Sequence, residues 1–74
     1  MKQNKATQFF MNHPAIDGDF AKASEILGYS EQVIRRWNSR RNETDMHTYL
    51  IPVAAQALGM KPSEFIAQVF EYDL

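Results

Sequence analysis

The chain has 74 residues, of which 45% are hydrophobic and 23% are charged. This length allows one domain with a small core, and the composition is that of a globular protein rather than a disordered one, so we expect a single domain over residues 1–74. The absence of cysteine excludes disulfide scaffolds and thiolate metal sites. It favours a reducing cytoplasm, as does the lack of an apolar run that resembles a signal peptide or a membrane span.

The first predicted helix runs from about Lys5 to Met11 and would bury Phe9 and Phe10. His13 and Pro14 should stop it, because the residue before a proline avoids helical backbone angles.

A second helix is predicted from Phe20 to Leu27, with Asp19 as its N-cap and Gly28 as its end. Phe20, Ala23 and Leu27 recur at helical spacing and indicate one buried face.

Ser30 should cap the third helix, whose apolar positions are Val33, Ile34 and Trp37. Its polar residues fall mostly elsewhere, which predicts a solvent-exposed face. The spacing of Trp37 from Val33 and Ile34 favours a place in the core over stacking on a base.

The fourth helix is predicted to run toward Leu58, with Thr44 or Asp45 as its cap. Its expected buried residues are Tyr49, Leu50, Val53, Ala54, Ala57 and Leu58. Pro52 either kinks this helix or marks a later start, since proline is tolerated mainly in a first turn. Gly59 should end it.

Pro62 suits the first turn of a fifth helix with an apolar stripe of Phe65, Ile66, Val69 and Phe70. No alternating pattern supports a strand anywhere in the chain. The expected fold is therefore all-α, a compact five-helix bundle.

The stretch SEILGYSEQVIRRW, from Ser24 to Trp37, predicts two helices that cross at a tight turn. Ser24 is small enough for a close helix crossing, and Gly28 tolerates the positive φ that the turn requires. The apolar residues that such a pair must share in its core are all present: Ala23, Leu27, Tyr29, Ile34 and Trp37.

With these residues in place, the sequence resembles the lambda-repressor-like family, which includes the phage Cro and repressor proteins and the Xre-type regulators. The resemblance covers about two thirds of the chain, from DFAKASEILGYSEQVIRRW through VAAQALGMKPSEF. It implies a helix-turn-helix at about residues 20–40 in a DNA-binding domain that usually works as a dimer. By position it places Ser30 beside a phosphate. It places Glu31, Gln32 and Arg36 over base edges, and Ser39 and Arg40 near the DNA backbone.

The residue types support DNA binding independently of the resemblance. Four of the eight Lys and Arg residues fall within seven positions, as Arg35, Arg36, Arg40 and Arg41. Arginine can donate two hydrogen bonds to guanine and glutamine can pair similarly with adenine. The alternative is a solvated helix face with ordinary ion pairs. The candidate DNA-binding residues are Ser30, Glu31, Gln32, Arg35, Arg36, Ser39, Arg40 and Arg41.

Two functions follow from these residues. The first is a transcriptional regulator of the phage or mobile-element Cro or repressor type that occupies an operator in double-stranded DNA. The second is a helix-turn-helix interaction module, such as an antitoxin or inhibitor, that binds an acidic protein partner; the net charge of −1 slightly favours it.

No activated nucleophile and no phosphate-binding glycine loop is present, so we expect no enzyme, no cofactor and no small-molecule substrate. His13 and His47 lack the spacing of a helical metal site, so we also expect no metal. The apolar C-terminal segment SEFIAQVFEYDL predicts a homodimer, unless its side chains pack inside the monomer with Phe9 and Phe10.

Overall fold

A computed structural model of the chain describes residues 6–39 and 44–70, and within these ranges the only regular structure is helical. The helices are α1 (Ala6–Asn12), α2 (Phe20–Leu27), α3 (Glu31–Asn38), α4 (Ile51–Ala57) and α5 (Pro62–Phe70). A 3₁₀ turn at Thr48–Leu50 leads directly into α4. The described residues thus form five α-helices and no strand, which confirms the all-α prediction.

Helix α1 ends at Asn12, one residue beyond the predicted end and just before the His13-Pro14 pair. Phe10 is fully buried and Phe9 packs half-buried against the core. The Phe9 ring meets the Phe65 ring edge-on, with the centroids 5.2 Å apart, and this contact joins α1 to α5.

Helix α2 has the predicted bounds because its signals are local. The Asp19 carboxylate accepts a hydrogen bond from the Lys22 N–H at 3.1 Å, as an N-cap does. Gly28 has φ of 76° and its N–H donates to the Ser24 carbonyl oxygen at 2.9 Å. This left-handed residue ends the helix as predicted.

The predicted start of the fourth helix is wrong. Neither Thr44 nor Asp45 caps it, because α4 begins at Ile51 with Pro52 in its first turn. A proline there loses no helical hydrogen bond, since the first N–H groups of a helix have no partner within it. Pro52 therefore belongs to the start of the helix and does not kink it.

The buried face of α4 also differs from the prediction. Tyr49, Val53 and Ala57 were expected in the core but are exposed. The buried residues at helical spacing are Leu50, Ile51, Ala54, Ala55 and Leu58. Ile51 and Ala55 thus lie on the packed side of α4, and Val53 and Ala57 lie on its solvent side.

Helix α5 begins at Pro62, as predicted, and gives Phe65 and Val69 to the core, both with 0% exposure. Ile66 packs against the core while half-buried. The side chain of Phe70 lies outside the described part of the structure. Phe65 and Val69, two residues of the segment expected to form a dimer contact, are thus buried inside the monomer.

Asp45 joins the start of α1 to the segment before α4. Its carboxylate accepts from the N–H groups of Ala6 and Thr7 at 2.8 and 2.9 Å. It also accepts from the Thr7 hydroxyl at 2.6 Å and from the Met46 N–H at 2.7 Å. Asp45 is therefore the N-terminal cap of a helix that lies 38–39 residues earlier in the chain.

None of the described helices combines the length and apolar character needed to cross a membrane.

Candidate nucleic-acid interface

Helix α3 is fixed to the body of the protein by its cap and by two buried side chains. The Ser30 hydroxyl accepts from the Val33 N–H at 3.3 Å, which confirms Ser30 as the N-cap. Ile34 is 0% and Trp37 is 6% exposed, and Val33 packs half-buried beside them. The core position predicted for Trp37 is therefore confirmed, and one side of α3 cannot rotate away from the domain.

The turn before α3 has its own hydrogen bond. The Ser24 hydroxyl donates to the Tyr29 carbonyl oxygen at 2.6 Å, so a residue of α2 holds the backbone one position before the Ser30 cap. Together with the left-handed Gly28, this bond sets the direction in which α3 leaves α2.

The opposite side of α3 carries Gln32 and Arg36, which are both exposed. They are four residues apart and therefore lie one above the other on the helix surface. Within the described residues Arg36 takes part in no ion pair. Ser39, just beyond the end of the helix, is half-buried. Gln32 and Arg36 thus form an exposed polar row that faces away from the core.

Arg35 and Glu31 lie on one flank of this row. Arg35 Nη2 is 3.5 Å from Glu31 Oε1, and its guanidinium lies 4.8 Å from the centre of the Phe20 ring in α2. Such a surface pair contributes at most about 1 kcal/mol. The side chain of Arg35 is still 60% exposed, so DNA could recruit it, whereas Glu31 has Arg35 as its partner.

An aromatic cluster of Tyr29, Trp37, His47 and Tyr49 lies on the other flank. The Tyr29 ring is 4.9 Å from Trp37, and the His47 ring is 5.5 Å from Trp37 and 5.8 Å from Tyr29, centre to centre. Tyr49 stacks on His47 at 5.2 Å with an interplanar angle of 4°, and its hydroxyl contacts the Tyr29 hydroxyl. The cluster thus connects α3 to the start of α4.

The aromatic cluster was not predicted, and Tyr49 was placed in the core. Tyr49 is 64% exposed. The hydrogen bond with Tyr49 is the main cause that raises the pKa of Tyr29 above its usual value of 10.0. No spacing in the sequence links Tyr29 to residues 47–49, since the contact depends on how the chain returns after α3.

Two other candidate groups have structural roles. His13 Nδ1 accepts from the Ala15 N–H at 3.1 Å in the turn after α1, and His47 belongs to the aromatic cluster. Across residues 6–39 and 44–70, no three His, Asp or Glu side chains gather in a way that could hold a metal ion.

Arg40 and Arg41, the remaining candidate DNA-binding residues, lie outside the described residues. The end of α3 that precedes them is held by Gln8, whose Nε2 donates to the Asn38 carbonyl oxygen at 3.2 Å. A residue of α1 therefore anchors the C-terminal end of α3.

Comparison with known proteins gave no match among family models, curated proteins or solved structures.

Proposed function

We propose that this protein is a sequence-specific regulator of transcription that binds double-stranded DNA through a helix-turn-helix formed by α2 and α3. In this proposal the segment from Glu31 to Arg40 enters the major groove of an operator. One observation carries the proposal: Gln32 and Arg36 form an exposed polar row on a short helix whose other side is held by buried Ile34 and Trp37.

The chemistry of the row suits the reading of base edges. The Arg36 guanidinium can donate two parallel bonds to O6 and N7 of guanine, and the Gln32 amide can donate to and accept from adenine. Arg35, Arg40 and Arg41 would add affinity by replacing counterions on the phosphates, with no information on sequence. An operator occupied in this way is closed to polymerase, as expected for a Cro-type or repressor-type protein acting in the cytoplasm.

A homodimer is part of the proposal. One α3 offers few base contacts, whereas a twofold axis would present two helices to half-sites about one turn of DNA apart. Among the described residues the large exposed apolar side chains are Tyr49 and Val53, and the latter is 42% exposed. We therefore expect Val53 at the twofold contact, together with residues of the C-terminal segment SEFIAQVFEYDL.

Binding of an acidic protein partner is the competing function, since it would use the same arginines. DNA is favoured because Gln32 stands beside Arg36 on the exposed row, and an amide contributes to base recognition but adds no charge for an acidic partner.

The decisive experiment is the selection of bound fragments from a random pool of duplex DNA at moderate salt. We expect one enriched motif for the wild-type protein, and for Arg36→Ala a motif that has lost preference at one base position. Arg35→Ala is the matched control, because Arg35 lies on the flank beside Glu31 and Phe20 and should leave the motif unchanged. A pool with no enriched motif would refute the proposal in favour of a protein partner.

A further inference from the structure

We propose that the aromatic cluster is a second DNA contact, in which the Tyr29 and Tyr49 hydroxyls bind a backbone phosphate at one wall of the groove that α3 occupies. This inference rests on the proposed function and extends it to residues outside the helix that reads the bases.

The position of the cluster relative to α3 supports a backbone contact. Around the helix, the row of Gln32 and Arg36 is bounded on one side by Glu31 and Arg35 and on the other by Val33, with the buried Trp37 beyond Val33. Tyr29 and His47 pack against the Trp37 ring. A helix inserted in the major groove has a sugar-phosphate strand on each side. In the proposed complex the cluster lies next to the strand on the Val33 side of the row.

Of the two segments that form the cluster, the one with His47 and Tyr49 has no acidic residue, whereas Glu25 and Glu31 lie within four positions of Tyr29. From Met46 to Ser63 the sequence contains no Asp or Glu. The nearest preceding carboxylate in the chain, that of Asp45, accepts hydrogen bonds from Ala6, Thr7 and Met46. A phosphate at the two hydroxyls would thus meet no unpaired carboxylate from this segment.

The two phenols are prepared to donate a hydrogen bond outward. Two touching hydroxyls carry two protons, and the bond between them uses only one, so the second proton can reach a phosphate oxygen. The Tyr29 ring is held by Trp37 and the Tyr49 ring by His47. Because both rings are already packed, the contact would cost little side-chain entropy.

The test removes both hydroxyls while keeping the rings, in the double variant Tyr29→Phe/Tyr49→Phe, with Tyr29→Phe and Tyr49→Phe measured beside it. Affinity is measured by fluorescence anisotropy on a labelled random-sequence duplex of about two helical turns and on the duplex enriched in the selection, over a range of salt concentrations. Ser63→Ala, which removes an exposed hydroxyl at the start of α5, is the matched control. Thermal melts followed by Trp37 fluorescence verify that each variant is folded.

We expect the double variant to bind about three- to tenfold more weakly, by the same factor on both duplexes, as for the loss of one hydrogen bond. Each single variant should stay closer to wild type, because its remaining hydroxyl still has a proton to donate. The salt dependence should stay unchanged, because a neutral hydroxyl releases no counterion. Ser63→Ala should bind like wild type.

Wild-type affinity in the double variant would overturn this inference and leave the proposed function intact. A loss confined to the enriched duplex would also overturn it, since it would show that the hydroxyls read bases. A wild-type protein that binds neither duplex at low salt would instead refute the proposed function together with the inference built on it.

Discussion

Replacement of Asp45 by alanine should destabilise the protein far more than the loss of an ordinary helix cap. The carboxylate accepts from two N–H groups at the start of α1, from the Thr7 hydroxyl and from the Met46 N–H. In Asp45→Ala all four donors lose this acceptor at once.

The magnitude follows from the burial of Thr7. Loss of an N-cap costs about 1 kcal/mol when water can replace it. Thr7 is 0% exposed, so its N–H and its hydroxyl proton would lose their acceptor away from water, which adds about 1–3 kcal/mol, while its hydroxyl oxygen still accepts from the Met46 N–H at 3.0 Å. The expected total is about 2–4 kcal/mol. The stability of a 74-residue domain is on the order of 4–11 kcal/mol, so a large share would be lost.

Thermal and urea unfolding followed by the fluorescence of Trp37, the single tryptophan, would measure this loss. A fall in Tm on the order of 10–25 °C is expected for a domain of this size. Asp19→Ala is the matched control, because Asp19 caps α2 through one exposed hydrogen bond and should cost about 1 kcal/mol. If Asp45→Ala lost no more stability than Asp19→Ala, the burial of Thr7 would add nothing to the loss of the cap, contrary to this prediction.

Three further predictions concern the turn, the exposed row and the dimer. Gly28→Val should lower the free energy of unfolding in urea by about 1–2 kcal/mol, and Gly28→Asn should lower it less. The residue has φ of 76° and a Cβ there meets no atom within 4 Å, so the loss comes from backbone strain alone. Arg36→Ala should weaken binding to the enriched duplex by about 1–3 kcal/mol in a filter or anisotropy assay, with less effect on random DNA; an equal loss on both would contradict base reading. Light scattering should give the mass of a dimer for the wild-type protein, and the mass of a folded monomer for Val53→Asp or Phe70→Asp. A wild-type monomer bound to a single half-site would exclude the proposed twofold contact.

The sequence by itself determined the elements whose signals are local. Helix α2 could be bounded to the residue because Asp19 and Gly28 act on groups within four positions of themselves. Ser30 and Pro62 marked the starts of α3 and α5 for the same reason. The exposed row could also be predicted from the sequence, since apolar Ile34 and Trp37 leave Gln32 and Arg36 on the opposite side at helical spacing.

Helix α4 shows where local reasoning failed. Its predicted buried face placed Tyr49, Val53 and Ala57 in the core, and the apolar residues of this segment are dense enough to support more than one buried face. The choice among these faces depends on packing against α2 and α5, which no pattern within the segment contains.

Only the tertiary structure decided the partners of Asp45 and Tyr49. By its position Asp45 could be read as the cap of a following helix, yet its carboxylate caps α1 from 38–39 residues away. Tyr49 could be read as a core residue, yet it stacks on His47 and touches a hydroxyl 20 positions earlier. A cap or a helical face is set by neighbours a few residues apart, which the sequence displays directly. A contact between distant residues exists only once the helices have packed, because packing alone fixes which donors and rings come within reach.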